Sequence, residues 1–407
     1  LNINFSARLT DDEIYGSNTT ESVKIGYRPV NSLLLRATYG SAYRAPNLRE
    51  LFLMNQTGFG TISDPCYAPD EAIDLFTGEY IPENDTRDQI ILQNCAANGV
   101  DPTIASGFSS YSVELSTGGS LTLDPETADS WTAGFSWDQE FSNEFDLAVG
   151  ATYYEVDIDG TIIEPSGGYI ISDCYGSLTG NSPFCERITR DLSDPTDPYI
   201  TLLNAGFLNR DNEKARGVDV NLNFGDTITI SGKPFELDID IRATRVIERS
   251  TLFITDSGEE DFNEFQGQWG FAKWKGNSYV TLSWDKYRVL WTTRYTAAVD
   301  QNPIGIDPFS DIYDTAGTGF YGDTCQGPAY GDVTCRDVGF TDDYFVHSLS
   351  ATYEEDNYAI TVGARNILDE APPRVDGNEI TSKNNAAIGY GYDMSGRTYY
   401  LLAAYKF

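Results

Sequence analysis

The chain of 407 residues holds 62 acidic and 27 basic side chains, a net charge of −35, with 13% aromatics, 37 glycines, 2 methionines and 1 histidine. That balance excludes a nucleic-acid partner, since phosphate binding needs basic patches. No window reaches the roughly 18 consecutive apolar residues of a membrane helix, a limit that says nothing about a membrane barrel. Rich in Tyr, Phe and Gly, and without Leu/Ala-rich helical runs, the sequence predicts an all-β protein.

Period-two alternation is already under way at Leu1, as expected of a chain that starts inside a strand. It predicts strands near 1–10, 21–29, 33–43, 127–137, 144–158, 213–224, 235–247, 273–285, 287–298, 344–354, 357–368 and 397–407. The clearest sets Phe235, Leu237, Ile239, Ile241 and Ala243 against Glu236, Asp238, Asp240, Arg242 and Thr244. Many of these segments exceed the five or six residues usual in soluble sheets. They match the roughly 9–11 residues that a tilted strand needs to cross a bilayer.

The connections alternate in length. Pro29–Ser32, Asp138–Asn143, Gly225–Pro234, Asp285–Lys286 and Glu355–Asp356 are short; 44–126, 159–212, 248–272, 299–343 and 369–396 are long. Short turns at one rim and long loops at the other are the pattern of outer-membrane barrels. The acidity concentrates in the loops: Leu51 to Pro125 has eleven Asp/Glu against one Arg, and Val299 to Phe340 has seven Asp against one Arg. An apolar set (Phe224, Leu237, Trp284, Trp291, Tyr399 and Phe407) is expected to face lipid, with Tyr and Trp near the strand ends as girdles. A polar set with Arg36, Arg242, Arg288, Arg294 and Arg365 is expected to face a lumen.

Cys66, Cys95, Cys174, Cys185, Cys325 and Cys335 all fall in the long connections. Sequence order favours Cys66–Cys95, Cys174–Cys185 and Cys325–Cys335, one pair per loop, although six thiols admit other pairings. Local disulfides imply an oxidising compartment. With no C-x-x-C spacing and one histidine, zinc is not expected. Cofactors are not expected; a structural calcium at Asp256, Glu259, Glu260 and Asp261 is the minority reading, on hard oxygen ligands that lack EF-hand spacing. Catalysis is not expected either. His347 alternates on one face with Phe345, Leu349, Ala351 and Tyr353, and no P-loop or G-x-S-x-G is present.

One stretch is specific: Tyr43-Arg44-Ala45-Pro46-Asn47-Leu48-Arg49-Glu50-Leu51-Phe52. Pro46 lacks an N–H and holds Ala45 extended, so strand pairing should stop there. Asn47 should cap a short turn that carries Leu48, Leu51 and Phe52 inward, and a helix near Asp85–Asn98, ended by Gly99, should carry Cys95. The stretch resembles the Y/F-R-A-P-N-L-x-E-L-F segment of TonB-dependent outer-membrane transporters. In chain order, Ser120-Leu121-Thr122-Leu123-Asp124-Pro125-Glu126-Thr127, Gly217-Val218-Asp219-Val220 and Arg365-Asn366-Ile367-Leu368-Asp369 are similar to further segments of that family. Phe407 matches its C-terminal barrel-assembly signal.

The resemblance implies a barrel of about 22 strands with a plugged lumen, of which residues 1–407 would be the C-terminal part of the antiparallel wall, lacking the plug. It implies a non-enzymatic receptor in the outer membrane, with loops outside and the C-terminus in the periplasm, energised by TonB through the plug. Its cargo would be a scarce or large solute: a siderophore, vitamin, oligosaccharide or peptide. Partners would be outer-membrane lipid, the TonB complex, a small-molecule or oligomeric substrate and, as an accessory, a surface lipoprotein. Loop position selects Tyr67, Phe108, Tyr111, Tyr175, Phe184, Tyr321 and Tyr330 as ligand contacts, and face selects Arg36, Arg242, Arg288 and Arg365 as plug contacts. A passive porin or adhesin barrel is the alternative, and a soluble β-sandwich a third reading.

Overall fold

The computed structural model describes every residue except 75, 106–109, 142–144, 178–179, 181, 255–259, 300–312, 315–334, 337–341, 374–381, 384–385 and 407. Twelve strands form one antiparallel sheet in which each pairs with the next in sequence: Asn2–Asp12, Gly16–Val30, Leu33–Arg44, Glu126–Phe141, Phe145–Ile163, Leu208–Ile230, Lys233–Ile254, Trp274–Trp284, Tyr287–Thr296, Tyr344–Glu354, Tyr358–Arg365 and Thr398–Tyr405. Glu260–Glu264 adds a short thirteenth strand against Ser250–Ile254. None of the helices is long and apolar enough to cross a membrane, among the described residues.

The register fixes the faces, because directly opposed residues share one. Leu237, Leu282, Val289, Ala351, Val362 and Leu401 oppose one another across six strands. Beside them run Leu147, Phe224, Ile239, Val280, Trp291, Leu349, Ala364 and Tyr399. The other face carries Arg36, Gly134, Thr152, Asp219 and Thr244 in one row, and Gly150, Asn221, Arg242, Asn277 and Arg294 in the next. Hollows of about 430 and 630 Å3 in the sheet are lined by this polar face, which marks it as the concave one.

The apolar band has readable limits. Along Phe145–Ile163 the outer row runs Phe145, Leu147, Val149, Ala151, Tyr153, and then Glu155 and Asp157. Its apolar part spans about 20 Å once a strand tilt near 40° is allowed for. Aromatic rings line the short-turn edge, with Phe141 stacked on Phe145 (centroids 4.5 Å) and Trp284 on Tyr287 (5.4 Å), and Tyr353 next to Tyr287 (5.2 Å). Tyr39–Trp131 and Tyr295–Phe345 mark the opposite edge.

Three strands outrun the alternation. Phe145–Ile163, Leu208–Ile230 and Lys233–Ile254 exceed the expected 144–158, 213–224 and 235–247. Past the apolar band the outer row turns charged, as Glu155 and the Arg216–Glu248 pair show, while Val156, Ile158 and Ala215 stand on the other face, so pairing continues beyond the expected ends. The expected connection Gly225–Pro234 is likewise strand up to Ile230, and the turn is Ser231 (φ 52°) and Gly232 (φ 77°). Two left-handed residues suit the tight hairpin turn whose twist matches the strands.

The long connections 44–126 and 159–212 are not independent loops. They share a four-stranded sheet in the order Gln56–Ser63, Ser110–Thr117, Ile200–Asn204, Ile188–Arg190, joined across the loops by parallel pairing of Glu114, Leu115 and Ser116 with Leu202, Leu203 and Asn204. Helices Gln89–Ala97 and Gly167–Gly176 pack together beside it. The core of this two-loop unit contains Ile62, Val113, Ile170, Leu203 and Phe184, with Phe253 reaching in from a long wall strand.

Candidate functional site

The corner at Arg44 is built as its sequence requires. The strand stops at Arg44, Pro46 is buried, and Asn47 caps the helix Leu48–Phe52 by accepting from Arg49 N (2.9 Å) and Glu50 N (3.0 Å). Glu50 completes the capping box by accepting from Asn47 N at 2.7 Å. Its carboxylate also takes Arg44 Nη1 at 2.9 Å, and Arg44 pairs with Glu126 on the neighbouring strand. Arg44 thus ties together the two wall strands and the helix between them. Only Leu51 of the three expected inward residues is buried; Leu48 and Phe52 are 78% and 54% exposed, because five helical residues turn them to the outside of this corner.

Both described disulfides lie in the two-loop unit, Cys66–Cys95 within the first loop and Cys174–Cys185 within the second. Cys95 sits on the helix Gln89–Ala97, which ends as expected before Gly99 at φ 80°. Neither disulfide crosses between the loops. A buried polar network does that instead. Arg190 of the second loop donates to both carboxylate oxygens of Asp64 in the first, at 2.7 and 3.0 Å, with side-chain exposures of 6% and 0%. Tyr111 donates to Asp64 at 2.8 Å and accepts from Ile200 N at 2.7 Å, while Arg190 reaches Tyr175 Oη at 3.0 Å. Burial, reinforced by the Asp64 charge, pushes the Tyr111 phenol well above its ordinary range. Burial alone would lower Arg190, but the Asp64 bonds hold it above its ordinary value. Tyr111 therefore stays neutral and Arg190 charged across any physiological pH.

This placement corrects the choice of ligand-contacting aromatics. Tyr67, Tyr175 and Phe184 are 2–3% exposed, and Tyr111 packs against the same core. Loop position alone points to exposed rings, but the loops have a core of their own, and large aromatics fill it. Phe108, Tyr321 and Tyr330 lie outside the described residues, as do Phe407, Cys325 and therefore the Cys325–Cys335 pair, and Asp256 and Glu259 of the calcium candidate. Glu260 begins the added strand Glu260–Glu264. Arg36, Arg242, Arg288 and Arg365 all stand on the concave polar face. Arg36 donates to Thr152 Oγ1 at 2.7 Å, Arg242 pairs with Asp240 at 3.0 Å, and Arg288 with Glu354 at 3.6 Å. His347 is on the apolar face, with Nδ1 2.9 Å from Thr293 Oγ1, which also accepts from Trp291 Nε1 at 3.1 Å.

A family model described as "TonB dependent receptor-like, beta-barrel" matches residues 1–367. The chain belongs to the TonB-dependent receptor family. That family is one of outer-membrane receptors and transporters. Over 47 residues the chain is 40% identical to the vitamin B12 transporter BtuB of Vibrio cholerae serotype O1, a match covering 12% of this chain and 8% of that protein. Among solved structures, the ferric enterobactin receptor PfeA of Pseudomonas aeruginosa, in complex with enterobactin, superposes at TM-score 0.54 and 15% identity over 99% of this chain and 43% of its own. The siderophore receptor PirA of Acinetobacter baumannii gives 0.52 and 13% identity over 100% of this chain and 43% of its own. At such identities the shared property is the barrel fold. The chain spans under half the length of these receptors.

Proposed function

We propose that the chain is the C-terminal part of the wall of a receptor for TonB-energised uptake of a scarce or large solute. A siderophore is the favoured class, given what its structural relatives bind. The observation that carries this reading is the disulfide-braced two-loop unit folded beyond one edge of an amphipathic wall. Long connections with a core of their own suit capture of a ligand outside the cell better than passive flow.

In this reading the long-loop rim is extracellular, the short-turn rim and the C-terminus are periplasmic, and lipid covers the apolar band. A plug fills the concave side, contacting Arg36, Arg242, Arg288 and Arg365, and TonB pulls on it. Substrate meets the loops first, and a surface lipoprotein is the accessory partner that loops of this size would engage. A structural calcium at the 256–261 loop belongs to the same proposal.

The test is uptake of labelled ferric siderophores by cells carrying or lacking the whole protein, in backgrounds with and without TonB. Accumulation that needs both supports the importer. Equal entry without TonB favours a passive porin, and surface binding without any entry favours an adhesin.

A further inference from the structure

We propose that Ser278, Thr293 and His347 form a seat on the lipid-facing side of the wall for one acyl lipid, held through the carbonyl that joins an acyl chain to its headgroup. The inference needs the wall in a bilayer, and neither cargo nor TonB.

This row is an exception on its own face. The last five wall strands, Trp274–Trp284 to Thr398–Tyr405, have one aromatic edge at Tyr295–Phe345 and the other at Trp284, Tyr287 and Tyr353. Between those edges every outward position is aliphatic or aromatic except Ser278, Thr293 and His347. The three oppose one another on consecutive strands, Ser278 beside Thr293 and Thr293 beside His347. Gly276 and Ala243, opposed one step nearer the long-loop rim, leave the surface low above Ser278. Polar side chains at membrane depth are costly and mark places that use them.

Hydrogen bonding leaves one donor over. Trp291 Nε1 can only donate, and it gives its hydrogen to Thr293 Oγ1 at 3.1 Å. The Thr293 hydroxyl then directs its own hydrogen to His347 Nδ1, 2.9 Å away. With Nδ1 accepting, the imidazole hydrogen is on Nε2, which has no hydrogen-bond partner among the described residues. Neighbouring rings fix the imidazole, with Trp291 at 5.4 Å between centroids and Phe345 nearly parallel at 6.3 Å. A positioned donor thus stands where water does not reach.

Depth decides the occupant. His347 is two residues inward from Phe345, about 5 Å along the membrane normal for a strand tilted near 40°. Girdle aromatics sit at headgroup level, so the row lies where acyl linkages pass from headgroup to hydrocarbon. Those carbonyls accept hydrogen bonds and cannot donate, which complements Nε2–H and the Ser278 hydroxyl. A second copy of the chain would oppose this row with donors of its own.

The experiment is carbon–nitrogen dipolar dephasing by solid-state NMR, on the full-length protein with isotope-labelled histidine nitrogens. The bilayer is a diester phosphatidylcholine labelled at its carbonyl carbons. The Nε2 signal, assigned by its loss in His347→Gln, should be that of a hydrogen-bearing nitrogen and should dephase. Lipid labelled at the terminal methyls should give no dephasing. Diluting the carbonyl-labelled lipid with an equal amount of its diether analogue, which lacks the carbonyl, should keep about two-thirds to nine-tenths of the effect. One hydrogen bond favours the ester by about two- to tenfold, whereas an unselective surface would keep half. Thr293→Val should mix the two imidazole tautomers and reduce the dephasing, while Thr292→Val, on the concave face, should change neither. No dephasing from the carbonyls, equal dephasing from the methyls, or a fall to half on dilution would each overturn the assignment. So would dephasing by carbon-labelled protein mixed with the histidine-labelled protein, the outcome expected of a second copy. The arms on the unaltered protein need no variant, so a misfolded Thr293→Val leaves the test decisive. Uptake is not measured: a failed importer reading leaves the seat standing, and an empty seat leaves uptake untouched.

Discussion

Replacing Asp64 by alanine tests whether the two long connections hold together through one buried carboxylate. Asp64 accepts from both Arg190 nitrogens, from Tyr111 Oη at 2.8 Å and from Cys66 N at 3.0 Å, and its side chain has no exposure. Alanine leaves the guanidinium buried, with only Pro198 O at 2.6 Å and Tyr175 Oη at 3.0 Å. Removing one partner of a buried pair costs about 3–5 kcal/mol. Since about 1.36 kcal/mol is a decade, opening of the two-loop unit should become roughly two to nearly four decades more frequent. Amide hydrogen exchange on the full-length protein in nanodiscs reads this directly. Amides of Gln56–Ser63, Ser110–Thr117 and Ile200–Asn204 should exchange faster by that factor, while those of Trp274–Trp284 keep their rate. Asp64→Leu combined with Arg190→Met should recover most of the loss, because no buried charge is then stranded. Unchanged exchange in the unit, or equal acceleration in the wall, would refute the reasoning.

Four further outcomes are expected. Val280→Arg, on the apolar face, should lower folding yield into lipid vesicles by about 2–4 kcal/mol if near midplane, while Thr281→Arg, on the polar face, should fold as the parent does; equal yields would mean the faces are misassigned. Removing Cys66–Cys95, which closes 29 residues, should destabilise the two-loop unit by about 3.6 kcal/mol, and removing Cys174–Cys185, which closes 11, by about 2.8, on the chain-entropy scale, as read by exchange of the same amides. Gly217→Ala should disrupt the bulged pairing with the next strand, since its Cβ would sit 2.4 Å from Arg245 O and 2.6 Å from Tyr154 Oη, and assembled barrel should fall on a heat-modifiable gel. The Arg87 hydrogen bonds hold the Asp85 carboxyl well below its ordinary value. A depressed carboxyl contributes stability above its unfolded pKa, about 4, and loses it as pH falls further; acid unfolding of the loops should therefore flatten below pH 4 in Asp85→Asn, as followed by near-UV dichroism.

The wall was legible because a bilayer imposes strict alternation: Phe235 to Ala243 and Tyr358 to Ala364 announce both strand and face. Legibility stops where the bilayer does. Beyond Tyr153 and Val218 the outer row turns from apolar to charged with Glu155, Lys214 and Arg216, and the apolar residues Val156 and Ile158 stand on the other face, so the pattern that marks a lipid-facing strand is lost. The two-loop unit was harder still. Its parallel contact joins residues almost ninety apart, and its core aromatics look in sequence like exposed ring contacts. Glu50 was visible as part of a motif, yet its double role, capping Asn47 and pairing with Arg44, needed the geometry. Asp64 and Arg190 gave no local signal, since a lone acid in an acidic loop and a lone arginine elsewhere become partners only through topology. Ser231-Gly232, by contrast, is a readable turn signal inside the wider connection expected over Gly225–Pro234.

The parallel contact between Ser110–Thr117 and Ile200–Asn204 also limits how such a receptor can diversify. Rewriting one connection would unseat its neighbour's strand and leave Arg190 without its counter-ion. The two segments form one packing unit, and chimaeras that swap residues 45–125 without 164–207 should lose hydrogen-exchange protection in both.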